Sequence, residues 1–150
     1  MQFTTALYAV LAALPIVSAN GCYGSGDTFA EYGTSDELAT AREEACAALV
    51  STIPKHTELM LNLGEPRFNQ QSRKLQAGEY PAGQTKNYCA SNGQASINFS
   101  ATSNSGSTTL TLTADDCVSA MIIEMEACSH GSVQSHGSFT YKDDPNAGSC

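Results

Sequence analysis

The residues with the greatest chemical consequence are six cysteines, at positions 22, 46, 89, 117, 128 and 150. An even set lying beyond an N-terminal apolar leader points to three disulfides. Structural zinc sites use closely spaced cysteine pairs, and the chain has no C-x2-C, so no metal is expected. Cys117 and Cys128 lie eleven residues apart in a stretch of helical character. At about 100° per residue both leave the same face about 16 Å apart, too far to join one another. That removes three of the fifteen connectivities and leaves the rest open.

Catalytic chemistry is thinly represented. His130 and His136 form an H-x5-H spacing that could supply a base or a metal pair, but histidines just beyond a helix more often do neither. No G-x-S-x-G or H-E-x-x-H motif occurs. Cleavage of RNA by acid–base chemistry needs His, Glu and Arg converging on a sheet face. Residues 94–113 carry no charge, and no Arg follows Arg73. The expectation is therefore no catalytic residue and no cofactor. Fifteen acidic against seven basic residues give a net charge of −8, which disfavours nucleic acid and anionic membranes as partners.

The elements that must position these residues are legible in part. Residues 1–19 read as a signal peptide, with an apolar run over 6–17 and Val17-Ser18-Ala19 as a small-residue cleavage site. The run is too short to span a bilayer, so a secreted, extracellular single domain over 20–150 is expected. Residues 20–34 are Gly-rich, with Tyr23, Phe29 and Tyr32 available either to stack on a sugar or to fill space beneath a helix. Residues 35–53 form a helix, opened by a Thr34–Glu37 capping box and stopped by Pro54. Arg42 lies inside its apolar arc and should snorkel outward. Residues 113–131 form the second principal helix, capped by Thr113 and Asp116. Its apolar arc holds Cys117, Val118, Met121, Ile122, Met125 and Cys128, while Ile123 faces outward. Residues 55–84 give no clear element beyond a short apolar stretch at 56–63, followed by a polar segment with Arg67, Arg73 and Lys74.

Strands are expected at 85–90, 94–101, 107–113 and 137–143. Ala95, Ile97, Phe99 and Ala101 alternate with Ser96, Asn98 and Ser100, which is the period of a half-buried strand. Residues 102–106 should be a hairpin loop returning into 107–113, and residues 144–148 a turn-rich tail before Cys150. Asn98-Phe99-Ser100 is an N-glycosylation sequon with Asn98 on the polar face. The expected fold is α+β: a two-layer αβ sandwich of two principal helices on a mainly antiparallel sheet.

Three stretches carry a resemblance. Cys22-Tyr23-Gly24-Ser25-Gly26, the heptad 83–89 (GQTKNYC) and the tail 141–150 (YKDDPNAGSC) resemble a family of fungal secreted glycan-binding proteins, the ink-cap mushroom lectin type. The likeness spans residues 20–150 and implies an αβ sandwich that dimerises by joining sheet edges. The frame is also similar to the killer-toxin fold of smut fungi. Carried over from that toxin, the pairing would be Cys22–Cys128, Cys46–Cys150 and Cys89–Cys117.

The resemblance makes a non-catalytic, lectin-like protein the leading expectation. Tyr80, Asn87, Tyr88, Tyr141, Asp143 and Asn146 cluster near the matching stretches and are the candidate glycan contacts. Aromatic faces would stack on a sugar ring, and amides and carboxylates would take its hydroxyls. The expected partners are cell-wall or glycoprotein glycans. A killer-toxin-like effector acting on a cell-surface protein or channel is the first alternative. The toxin has a lysine two places before the cysteine matching Cys89; here that place holds Asn87, and Lys86 beside it would face the other side of a strand. A small secreted hydrolase such as a ribonuclease is the second.

Overall fold

The computed structural model describes residues 21–51 and 77–150. The leader at 1–19, the stretch 56–63 and the basic residues Arg67, Arg73 and Lys74 lie outside the described residues. The described elements are α1 (Phe29–Tyr32), α2 (Ser35–Val50), β1 (Ala77–Tyr80), β2 (Thr85–Ser91), β3 (Ala95–Ser103), β4 (Leu110–Thr113), α3 (Ala114–Ala127), β5 (Ser132–His136) and β6 (Phe139–Ala147). The fold is α+β. An antiparallel sheet ordered β2-β3-β6-β5 carries α2 and α3 on one face, and β1 pairs with β4 as a separate two-stranded sheet.

Both principal helices start as their sequences dictate. Thr34 Oγ1 accepts the Glu37 N–H at 3.3 Å, while Glu37 Oε2 accepts the Thr34 N–H at 2.7 Å, so two otherwise orphaned donors are satisfied. Thr113 does the same for the Asp116 N–H at 3.1 Å. α2 buries Ala41, Ala45, Cys46, Leu49 and Val50; α3 buries Ala114, Cys117, Ala120 and Met121. They pack against Ala90 of β2, Ile97, Phe99 and Ala101 of β3, and Phe139 and Tyr141 of β6. Arg42 is half-buried on α2, and its Nε is a buried donor without a partner among the described residues.

The strands differ from expectation in three places. β3 does not turn back into β4. It runs to Ser103 and is flanked by β2 and β6, while β4 pairs with β1. Gly78 of β1 explains the close fit there, because a Cβ would stand 2.6 Å from the Val50 carbonyl oxygen. The tail is not a turn: β6 continues through Asp144, Pro145 and Asn146 to Ala147. β5 begins only at Ser132, opposite Asp143, so the N–H that Pro145 lacks breaks no ladder bond with β5. β5 itself was not foreseen, since SVQSH has too few apolar residues to show a period. Residues 20–34 also contain a short helix, α1, whose Phe29 and Tyr32 enter the core.

Three disulfides close the structure, and two of them differ from the pairing carried over by resemblance. Cys22–Cys128 is present. Cys46 joins Cys117 rather than Cys150, and Cys89 joins Cys150 rather than Cys117. The reason is the pleat. Tyr88 and Ala90 turn toward the helices, so Cys89 between them turns away and cannot reach Cys117 beneath the sheet. Cys46 and Cys117 face each other where α2 packs on α3, with Cα atoms 5.7 Å apart and Cys46 Sγ 3.6 Å from the Met121 sulfur.

Candidate functional site

The face of the four-stranded sheet opposite the helices is the surface of interest. Strand alternation sends Ile97, Phe99, Ala101, Tyr141 and Asp143 inward and Asn98, Ser100, Thr102, Thr140, Lys142 and Asp144 outward. Pairing register then lines the outward residues into rows. One row is Thr85, Thr102, Thr140 and Ser135; the next is Asn87, Ser100, Lys142 and Val133; the third is Cys89, Asn98 and Asp144. Seven of the eleven are short hydroxyl or amide side chains. In the first row the Thr85 and Thr102 hydroxyls are 2.8 Å apart, and Ser135 and Thr140 are 2.7 Å apart. Thr140 donates to Asn104 Oδ1 at 2.8 Å, so the hydroxyls are held in fixed directions.

An aromatic ring borders this face. Cys22 bridges to Ser132 beside β5, and Tyr23 N–H donates to the Gly131 carbonyl at 2.9 Å. Cys22 points toward the helix layer, where its disulfide to Cys128 lies, so Tyr23 turns to the outer side. Its ring centroid is 6.0 Å from Lys142 Nζ, and Lys142 pairs with Asp144 Oδ2 at 2.9 Å. Val133, 41% exposed, adds an apolar spot in the row of Lys142. The hydrogen bond to Asp144 holds the Lys142 ammonium above the usual lysine range. Burial pushes the Tyr23 phenol up against the opposing pull of Lys142, so it stays a neutral hydroxyl at physiological pH. Beside Lys142, toward β2, lies a shallow depression of about 480 Å3, with Asn87, Asn98, Ser100 and Lys142 among its lining.

The six expected contact residues do not come together here. Asn87 is exposed and lies within the depression. Asn146 has an outward register position opposite Ser96, though its amide is spent on the Asp144 carbonyl at 2.6 Å. Tyr88 is half-buried and faces the helix layer beside Phe99. Tyr80, Tyr141 and Asp143 are core residues and cannot serve as contacts. Tyr80 is fully buried, donating its hydroxyl to the Leu49 carbonyl at 2.9 Å, and its ring meets Phe139 edge-on at 5.2 Å. Burial pushes the Tyr141 phenol up to about 12. Lys86 packs 4.4 Å from the centroid of the Tyr80 ring, on the side of the sheet opposite Asn87.

The chain matches no known protein-family model and no curated protein.

A second polar cluster lies under the sheet; His136 and Asp143 stand out in the sequence for other roles, but their meeting with Glu124 and Ser132 does not. Glu124 of α3, Ser132 of β5 and Asp143 of β6 are all buried. Ser132 Oγ contacts Glu124 Oε2 and also donates to Asp143 Oδ1 at 2.9 Å, while the Ser132 N–H reaches the same Asp143 oxygen at 2.7 Å. His136 Nε2 closes on Glu124 Oε1. Burial, reinforced by the charge of Glu124, raises Asp143 to about 6 despite its hydrogen bonds from Ser132. His136 also lines a cavity of about 450 Å3 between β4, α3 and the β5–β6 turn, together with Asp116, Ser119 and Ile123. Ile123 is 55% exposed, as its outward position on the helix predicts. The signal for the cluster was Glu124 itself, a carboxylate between Met121 and Met125 on the apolar side of a helix.

Proposed function

We propose that this is a non-catalytic carbohydrate-binding protein of the secretory pathway, and that it binds glycan on the outer face of its four-stranded sheet. The observation carrying the proposal is that face's composition: oriented hydroxyls and amides, one charged pair with a tyrosine beside it, and a shallow depression adjoining Lys142. A polyol needs many weak, oriented hydrogen bonds and an apolar surface for its C–H face, and this arrangement supplies both. Tyr23 and Val133 offer the apolar contact; Asn87, Ser100, Lys142 and Asp144 offer donors and acceptors. The resemblance to the ink-cap lectin type supports the same function, and the sheet-joining dimer it implies belongs on β2, since residues 21–23 flank β5. Three disulfides in a small domain fit an oxidising extracellular setting, and among the described residues no helix is long and apolar enough to cross a membrane.

Glycan-array screening of the wild type against Tyr23→Ala, Asn87→Ala and Lys142→Ala variants tests this. Binding should weaken at least about tenfold in each, the loss of one to two oriented contacts. Equal binding in all four proteins would remove the outer face from consideration.

The hydrolase alternative has one observation in its favour, the contact of His136 with the buried carboxylate of Glu124 at a cavity wall. Its weakness is electrostatic: that cavity is lined by Asp116 and by no Arg or Lys, which is unsuited to a phosphodiester. A ribonuclease assay with wild type and His136→Ala separates the two functions.

A further inference from the structure

The sequon Asn98-Phe99-Ser100 occupies a position whose consequence the sequence alone does not reveal. Phe99 is anchored in the core, so Asn98 and Ser100 are both turned to the outer face. Asn98 is exposed on β3, between Cys89 of β2 and Asp144 of β6, and lines the depression described above. Its neighbours across the sheet are short, so its amide is not crowded by a large side chain. We infer that Asn98 carries an N-linked oligosaccharide that lies across the outer-face depression and competes there with any external glycan. This inference rests on the proposed glycan-binding function for its second half and is independent of it for its first.

The chemistry is a group transfer from a lipid-pyrophosphate-linked oligosaccharide in the secretory pathway. The C1–O bond to the pyrophosphate breaks and a bond from C1 to Asn98 Nδ2 forms. The amide nitrogen gives up one proton, and the lipid pyrophosphate departs. The transfer precedes folding, because Cys89, which is paired with Asn98 in register, becomes tied to Cys150 on the same outer side once the chain closes. After folding, the first sugar stands on the outer surface of the sheet, at the exposed Asn98. It stands next to Asp144 and one row from Asn87, Ser100 and Lys142. The fold accommodates it because the surface is polar and flat there. The covered and uncovered forms would then be the weaker-binding and stronger-binding states of the same protein.

The test is secretion of the full chain from a eukaryotic host, as wild type and as Asn98→Gln. Intact mass spectrometry should show a glycan on the wild type that endoglycosidase trims and that the variant lacks; an unmodified wild type would overturn the inference. Acylation of Lys142 by a water-soluble active ester, followed by peptide mapping, reads coverage without any ligand. The variant should label at least about threefold faster than the glycosylated wild type, and equal rates would overturn the covering. Array binding to the same glycans should rise about tenfold in Asn98→Gln. Faster Lys142 labelling with no array binding in either form would support the covering and count against the glycan-binding function instead. The Asn98→Gln protein should keep the circular dichroism of the enzymatically trimmed wild type, which guards against misfolding as the cause of any difference.

Discussion

Glu124 and Asp143, two carboxyl groups from different elements, meet through a single serine hydroxyl inside the core. Ser132 has one hydroxyl proton to give. With both carboxyl groups ionised, one of its two contacts would set lone pairs against lone pairs. A proton on Asp143 removes that conflict and lowers the cost of burying two like charges. Asp143 Oδ2 has no hydrogen-bond partner among the described residues, which adds to the cost of the ionised form.

The stability of the protein should therefore favour acid. Asp143 is raised from 3.8 to about 6 on folding, so the folded state holds the proton more tightly. Its contribution is fully present below the unfolded value and is lost as pH rises through the folded one. A separation of about two pH units corresponds to about 3 kcal/mol between pH 3.5 and pH 7.5. Urea unfolding across that range should show the midpoint falling with pH in the wild type. In Asp143→Asn, which keeps an acceptor for Ser132 but cannot ionise, this component of the slope should disappear. A wild-type slope that the variant leaves unchanged would place the proton elsewhere.

The disulfides should differ in value even though they close similar loops. Cys46–Cys117 and Cys89–Cys150 span sequence separations of 71 and 61, so the chain-entropy contribution is nearly equal, about 4 kcal/mol each. Cys46 and Cys117 are fully buried against Met121, whereas Cys89 and Cys150 lie toward the surface. Replacing both members of the inner pair by Ala should cost about 2 kcal/mol more than replacing the outer pair by Ser, through lost packing. Denaturant melts of the two double variants check this, and non-reducing peptide maps check the pairing itself.

How far the sequence could be read follows from these same residues. The helices were legible because capping residues and the 3.6 period act locally: Thr34, Glu37, Thr113 and Asp116 sit where they were expected. The partners of strands were not legible, because β1–β4 and β3–β6 pairings join distant segments that no short window contains. The pairing of Cys89 that the resemblance implied differs because it depends on which way a β2 residue faces. The candidate site was half visible. Asn87 and the sequon at Asn98 were seen, and Lys142 lay within the expected strand at 137–143 without being singled out, while Asp144 was assigned to a turn-rich tail that is in fact strand.

Tyr80 is the residue most easily mistaken for a sugar contact, and its variants should behave as core lesions. Tyr80→Phe removes only the hydrogen bond to Leu49 O and should cost about 1–2 kcal/mol, with glycan binding unaltered. Tyr80→Ala should cost about 3–5 kcal/mol by emptying a fully buried site. Thermal melts alongside binding measurements on the folded fraction distinguish these from a loss of affinity.

Gly78→Ala tests the contact between β1 and the end of α2. A Cβ there meets the Val50 backbone at 2.6 to 2.9 Å, atoms that cannot rotate aside. The expected cost is about 1–3 kcal/mol, as for overpacking elsewhere. Gly106→Ala, where a Cβ meets nothing within 4 Å, should change stability by less than about 0.5 kcal/mol. Equal melting temperatures for the two variants would mean that β1 does not lie against α2.

The most direct measurement is an amide chemical-shift titration of isotopically labelled Asn98→Gln protein with soluble chitin oligomers and released N-glycans. A carbohydrate-binding outer face predicts saturable shifts grouped at Tyr23, Asn87, Ser100, Val133, Lys142 and Asp144. Shifts grouped instead around Ile123 and His136, or none with any glycan at millimolar concentration, would contradict it.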